Sequence, residues 1–188
     1  MIYPRGVTDD QPACPCIICH DYGDRDQLDA IDRNTIGHVE EHGWSVVQIP
    51  EDDLGPGWAF TVGIWHSHRK PELAIFGLDI DAMNACLNVL GQQTADGWPP
   101  ERDYERSHII DGDPVLFKTV EPRWYKAFFG TAMAFYRRPP IPFIQVLWAD
   151  SHERFPIDPQ CVPTVRDRQP NLWLRPDQHP QGVWTQEL

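Results

Sequence analysis

The stretch WAFTVGIWHSHRKPELAIFGL, residues 58 to 78, predicts the centre of the fold. Its first part, WAFTVGI (58–64), is rich in aromatic and β-branched residues and predicts a strand. The polar segment HSHRKP (66–71) predicts a loop, and the nearly continuous apolar run ELAIFGL (72–78) predicts a buried strand. Two strands joined by a short polar loop therefore indicate the middle of a sheet.

Further elements follow on both sides of this pair. Apolar residues at helical spacing predict helices over 24–42, 80–94 and 124–138. Further strands are predicted over 44–49, 114–120 and 143–150, whereas 98–113 is polar and rich in turn residues. Asp24 is the expected cap of the first helix and Gly43 its stop, while Asp79 or Asp81 caps the second.

The order of these elements favours the α+β class. Strands outnumber helices and are not separated by regular crossover helices, as they would be in a doubly wound sheet. We therefore expect a mixed or mostly antiparallel sheet, open or closed like a split barrel, with two or three helices. A chain of 188 residues suits one domain, over 24–158, with a Cys- and Pro-containing N-terminal arm over 1–23. The Pro-rich segment 159–188 predicts an irregular C-terminal tail packed on the body.

The charge of the chain limits its partners. A net charge of −12 argues against binding to nucleic acid or to an anionic membrane, since both attract clustered Lys and Arg. If the acidic surface binds a partner, the negative charge favours a basic protein. The sequence contains no apolar run long enough for a signal peptide or a membrane span, and it has five cysteines, an odd number. These features predict a cytoplasmic protein without a disulfide framework.

Several short motifs occur in an ordered series along the chain. They are GW (43–44), WAFTVGI (58–64), PEL (71–73), FGL (76–78), LN (87–88), QVLWAD (145–150), RFPID (154–158) and RQPNL (168–172). In order and spacing the series resembles the bacterial family known as domain of unknown function 4262, over about residues 16 to 172. Phe60 and Ile157 depart from it, because many members have Tyr and Trp there. The resemblance implies a shared fold and no assigned activity.

The pattern of strand, loop, strand and helix is also similar to that of flavin-reductase-like split barrels. That similarity implies a flavin phosphate held by the loop after the first strand, here by Thr61, His66, Ser67, His68 and Arg69. Together with Glu72, the two histidines and the arginine also suit an acid/base or anion-binding cluster. A polar loop without a ligand explains the same residues. Our leading hypothesis from the sequence is a small planar or phosphorylated ligand beside this loop, and the alternative is a non-enzymatic acidic protein that neutralises a basic partner.

The segment CPCIICH (14–20) suggests a metal site. Cys16 and Cys19 have the spacing with which two thiolates grip one zinc ion. Two further ligands are expected from His38 and His42, which lie four residues apart on one face of the first predicted helix. Cys14 and His20 are alternative ligands within CPCIICH itself. A thioredoxin-type redox pair has the same Cys-x-x-Cys spacing, but it normally follows a strand, which is lacking here.

Overall fold

The strands predicted within residues 58–78 form the middle of the sheet. In this computed structural model, strand β2 (Trp58–Val62) pairs antiparallel with strand β3 (Glu72–Phe76). The connection differs from the expected loop, because Ile64–His68 form a short helix, α2. Gly63 precedes this helix with φ of 116°, a backbone conformation that glycine adopts without steric strain.

The structure describes residues 14–110, 113–137 and 141–185. Residues 1–13 of the predicted arm and 186–188 of the predicted tail lie outside it.

Six strands form one open sheet in the described part of the chain. The other four are β1 (Ser45–Ile49), β4 (Glu105–Ile110), β5 (Asp113–Thr119) and β6 (Phe143–Trp148). Their order is β1-β2-β3-β6-β5-β4, and only the pairing of β3 with β6 is parallel. The predicted α+β class with a mostly antiparallel sheet is confirmed. The sheet does not close into a barrel, because β1 and β4 are its two edges, and the similarity to flavin-reductase-like barrels is not confirmed.

The described helices are α1 (Ala30–His42), α2, α3 (Ile80–Ala95), α4 (Tyr125–Phe128), α5 (Gly130–Tyr136) and α6 (Pro163–Arg166). Helix α1 starts later than predicted, because Asp29, and not Asp24, caps it by accepting the N–H of Asp32 at 2.9 Å. Gly43 ends α1 in the left-handed conformation, as expected. Asp79 caps α3 by accepting two N–H groups of its first turn.

Two segments differ from their sequence-based assignment. The third predicted helix is interrupted at Phe129, whose φ of −123° and ψ of 40° separate α4 from α5. Strand β4 lies within the segment expected to consist of turns. It is an edge strand with mostly exposed or half-buried side chains, so its residues are largely polar and carry no apolar strand pattern.

Both faces of the sheet are covered. Alternate residues of β3 illustrate this, since Leu73 and Ile75 face one core while Ala74 and Phe76 face the other. The first core packs the sheet against the apolar face of α3, which consists of Met83, Cys86, Leu87 and Leu90. The second packs it against α1, α4, α5 and the N-terminal arm, through residues that include Cys16, Val39, Phe129 and Tyr136. No described helix has the length and apolar composition needed to cross a membrane.

The C-terminal tail contacts the body at Trp124 and is stabilised internally by one histidine. The indole N–H of Trp124 donates to the carbonyl of Leu174 at 2.8 Å. Nε2 of His179 accepts the N–H of Asn171 at 2.9 Å, so the ring proton resides on Nδ1, which donates to the carbonyl of Pro180. Because Nε2 must accept, only the neutral imidazole fits this arrangement.

We expect the attachment of the tail to weaken in acid. Burial lowers the pKa of His179, so protons bind the unfolded histidine more readily than the folded one. The stability contributed by neutral His179 is therefore present above about pH 6.5 and is lost as the pH falls through the lowered pKa. Protection of the amides of residues 171–185 against hydrogen exchange, measured relative to the intrinsic rate at each pH, should fall between about pH 7.5 and about pH 5.5. His179→Gln can still accept from Asn171 and should lose this pH dependence; an equal fall in protection in both proteins would contradict the role of His179.

Candidate metal centre

The segment CPCIICH forms a tight turn that is fastened to helix α5. The N–H of His20 donates to the carbonyl of Cys16 at 3.0 Å, and the N–H of Cys19 points at the sulfur of Cys16 at 3.4 Å. The N–H of Ile17 donates to the carbonyl of Phe135 at 2.9 Å, and its side chain is buried in the core. The turn therefore places its cysteines at a fixed position beside the sheet.

Helix α2 carries the histidine that faces this turn. The backbone N–H of His66 donates to the Tyr136 hydroxyl at 3.3 Å. Arg69 ends the helix in the left-handed conformation, and its guanidinium donates to the carbonyls of Trp65 and His66. His66 is thus held by α5 on one side and by the arginine on the other.

Four potential metal ligands meet between the turn and α2. Nδ1 of His66 lies 3.2 Å from the sulfur of Cys16, 3.4 Å from that of Cys19 and 3.9 Å from that of Cys14. All four donor atoms lie within 4.8 Å of one another. A tetrahedral zinc ion with Zn–S bonds of about 2.3 Å and a Zn–N bond of about 2.0 Å places its sulfurs about 3.8 Å apart and each about 3.5 Å from the nitrogen. The group can therefore hold a metal ion.

The three thiols strongly affect one another's ionisation. The pKa of Cys14 is lowered to about 4, chiefly by the hydrogen bond from Cys16 and against the cost of burial, with smaller contributions from His66 and the positive charge of Arg69. The pKa of Cys16 is raised, chiefly by the same hydrogen bond, and burial raises that of Cys19. The cluster thus stabilises one thiolate even without a metal ion, whereas a bound metal ion favours the thiolate form of every ligating cysteine.

Next to α2, a buried carboxylate organises the backbone. Glu72 is fully buried and accepts the Thr61 hydroxyl at 2.6 Å, two N–H groups of residues 63–65 at 2.9 and 3.0 Å, and the Tyr136 hydroxyl. Burial raises the pKa of Glu72, and the four hydrogen bonds oppose this rise. Because Tyr136 also accepts the N–H of His66, the network links Glu72 to the backbone of a metal-ligand residue.

The five residues expected to bind a small ligand therefore have separate environments. Thr61 and Glu72 are buried and bonded to each other, and Arg69 donates to carbonyls of its own helix. His66 faces the cysteines, while the ring of His68 lies 6.4 Å from that of Trp44. Ligand binding by these residues stays a prediction.

Two of the predicted metal ligands lie elsewhere. Cys16 and Cys19 belong to the four-residue group, but His38 and His42 do not, and His66 and Cys14 complete it. Helix α1 turns Thr35 and Val39 towards the core, which leaves its two histidines exposed. His38 lies 3.3 Å from the Ser45 hydroxyl and His42 lies 3.7 Å from Glu41. His20, the other alternative ligand, is exposed and lies beside Tyr22.

One comparison with known proteins gives a match. A family model described as a domain of unknown function, DUF4262, matches residues 38–162. The match includes His66, Glu72 and Tyr136 and begins after the three cysteines of the cluster. The searches of curated proteins and of solved structures gave no match. The family model covers about two thirds of the chain, and the chain therefore belongs to the DUF4262 family.

Proposed function

We propose that this protein binds one zinc ion through Cys14, Cys16, Cys19 and His66. The observation that supports the proposal is the approach of four donor atoms to within 4.8 Å of one another, although the cysteines lie about 50 residues from the histidine along the chain. The two segments meet only through the fold, and the separations from Nδ1 to the sulfurs, 3.2 to 3.9 Å, bracket the value for tetrahedral zinc.

The ligand types favour zinc over other common ions. Calcium and magnesium prefer oxygen ligands, whereas three thiolates and one imidazole suit zinc. Four protein ligands leave no position for a water or a substrate, which is typical of structural sites and not of catalytic ones. Cys14 and Cys16 are also buried, with 2% and 0% of their surfaces exposed. We therefore assign the metal a structural role.

The role of the ion is to fasten the N-terminal arm to the sheet. Without metal, the described arm is attached through the hydrogen bond from Ile17 to Phe135 and through apolar contacts. A zinc ion adds a link between the cysteine turn and α2 that closes a loop of about 50 residues, and such a link reduces the entropy of the unfolded chain. The metal thereby also fixes the position of α2 above the Glu72 network.

Elemental analysis and native mass spectrometry of protein purified without chelators test the proposal. We expect one zinc per chain, and we expect Cys16→Ser and His66→Ala to purify without it because three ligands bind zinc less tightly. Cys161→Ala is the matched control, since Cys161 is a buried free cysteine outside the cluster. Cobalt substitution should give the visible bands of tetrahedral thiolate coordination. A parent protein that takes up no zinc after refolding with it, or a Cys16 variant that keeps a full equivalent, would disprove the site.

The two hypotheses from the sequence, a small planar or phosphorylated ligand beside residues 58–72 and a basic protein partner, stay predictions. The internal hydrogen bonds of Thr61 and Arg69 occupy the groups that were expected to contact an anion. Zinc binding does not require the Thr61 hydroxyl or the Arg69 guanidinium to be free of these hydrogen bonds. It is therefore the function that the geometry supports best.

A further inference from the structure

A cavity of about 240 Å³ lies at the other end of strand β2 from the metal centre. Trp58, the first residue of β2, lines the cavity. Gly63 and α2, which lie beside the candidate metal centre, follow the last residue of β2. The other walls are the turn over residues 50–56, helix α4 and the C-terminal residues Val183 and Trp184. This volume is many times that needed for one water, so the cavity has room for a small organic molecule.

Three aromatic rings form one corner of this cavity. The ring of Phe128 meets that of Trp58 at 90° with centroids 5.6 Å apart, and that of Trp184 at 62° with centroids 6.0 Å apart. Trp58 and Trp184 also pack against Phe76, so the three rings that line the cavity are held in different planes, as the rings of ammonium-binding aromatic cages are.

The aromatic walls offer no free hydrogen-bond donor. The indole N–H of Trp58 donates to the carbonyl of Phe128 at 3.1 Å, and that of Trp184 to the carbonyl of Asp167 at 3.2 Å. Both tryptophans are therefore fixed in orientation. A ligand can interact only with the faces of their rings, which carry partial negative charge. A ligand that needs donors, such as a phosphate or a carboxylate, finds none on these rings.

The charge at the cavity also favours a cation. Asp52 is the one charged side chain among the described residues that line it. Its carboxylate is exposed, and one oxygen accepts the N–H of Leu54 at 2.9 Å, which holds it in a turn. The net charge of −12 adds a general attraction for cations.

We propose that this cavity binds a small quaternary ammonium compound of the choline type. The cationic head would lie against Trp58, Phe128 and Trp184, where cation–π attraction acts without any hydrogen bond, and Asp52 would balance its charge. A primary ammonium fits less well, because its three N–H groups need acceptors, of which the rings supply none and Asp52 supplies a single carboxylate. The proposal is independent of the metal centre at the other end of the strand.

Calorimetric titration of the full chain with choline and with 3,3-dimethyl-1-butanol tests the proposal. The two probes have nearly the same shape, but only choline is charged. We expect choline to bind at least about tenfold more tightly, since the rings and Asp52 act on the charge. Equal affinity for the two probes would show that the pocket is apolar only. No binding of choline at millimolar concentration would show that the site does not exist. Either result overturns the proposal.

Three variants assign the binding to this cavity. Trp184→Ala should abolish choline binding, and Asp52→Asn should reduce the preference for choline over the alcohol by about fivefold. Trp98→Ala is the matched control, because Trp98 is 73% exposed, does not line the cavity and should not affect binding. Zinc content and melting temperature, measured on every variant, separate loss of the ligand site from loss of the fold. Choline binding that survives in well-folded Trp184→Ala would place the ligand elsewhere.

Discussion

Glu72→Ala is expected to lower the free energy of unfolding by at least about 3 kcal/mol, because it removes the acceptor of four donors, of which only the Gly63 N–H keeps another, the Tyr136 hydroxyl. Each donor left unpaired costs about 1–3 kcal/mol, and the N–H of Trp65 is a backbone group that cannot rotate towards water. The released segment carries His66, so zinc content should fall as well. Urea unfolding followed by circular dichroism measures the first effect, and elemental analysis the second.

Glu72→Gln is the matched control for this change. The amide oxygen can still accept from the two backbone N–H groups and from Tyr136, and the new NH₂ group can donate to the Thr61 hydroxyl. We expect this variant to lose about 1–2 kcal/mol and to keep its zinc. Equal losses in both variants would show that the shape of the side chain, and not its acceptor oxygens, stabilises this region.

Gly77→Ala should destabilise the protein by about 2–5 kcal/mol, the sum of backbone strain and overpacking. Gly77 has φ of 77°, and an added Cβ would lie 2.3 Å from the carbonyl oxygen of Arg168 and 2.7 Å from its Cβ. The tail cannot move away without breaking the hydrogen bond of 2.7 Å from the Arg168 guanidinium to the Gly77 carbonyl. Thermal and urea unfolding measure the loss.

Gly97→Ala separates the two contributions. Gly97 also has a positive φ, 92°, but nothing lies within 4 Å of the position of an added Cβ. This variant should therefore lose only the strain energy of about 1–2 kcal/mol. If both variants lost the same amount, the close approach of Arg168 would contribute nothing to the requirement for glycine at position 77.

The central strands were predictable because their residues carry one dominant signal. The runs that form β2, β3 and β6 are buried along nearly their whole length, so apolar and β-branched residues fill them. The edge strand β4 has no such run, because its side chains are mostly exposed or half-buried and tolerate charge. Helix α2 has five residues, too few for a periodic pattern to emerge.

The candidate metal centre was predictable only in its local half. The spacing of Cys16 and Cys19 is a short-range signal, and the three cysteines of CPCIICH fall within one turn. The proposed histidine ligand is not local, because it lies 47 residues beyond Cys19 and is brought there by the sheet. The pair His38 and His42 had the expected helical spacing, but spacing does not specify which face of α1 meets the arm. His66 was selected as a candidate, although for an anion and not for a metal.

The parallel pairing between β3 and β6 joins two halves of the described sheet that lie far apart in the sequence. Strands β1–β3 come from residues 45–76 and β4–β6 from residues 105–148, so each half of the sheet can form from neighbouring segments. The two halves join where Glu72 pairs with Phe143, and this closes a loop of about 70 residues. Contacts of such high sequence separation form slowly. Because Tyr136 and Glu72 come from different halves, we expect the hydrogen bonds that support the proposed zinc ligand His66 to be completed late in folding.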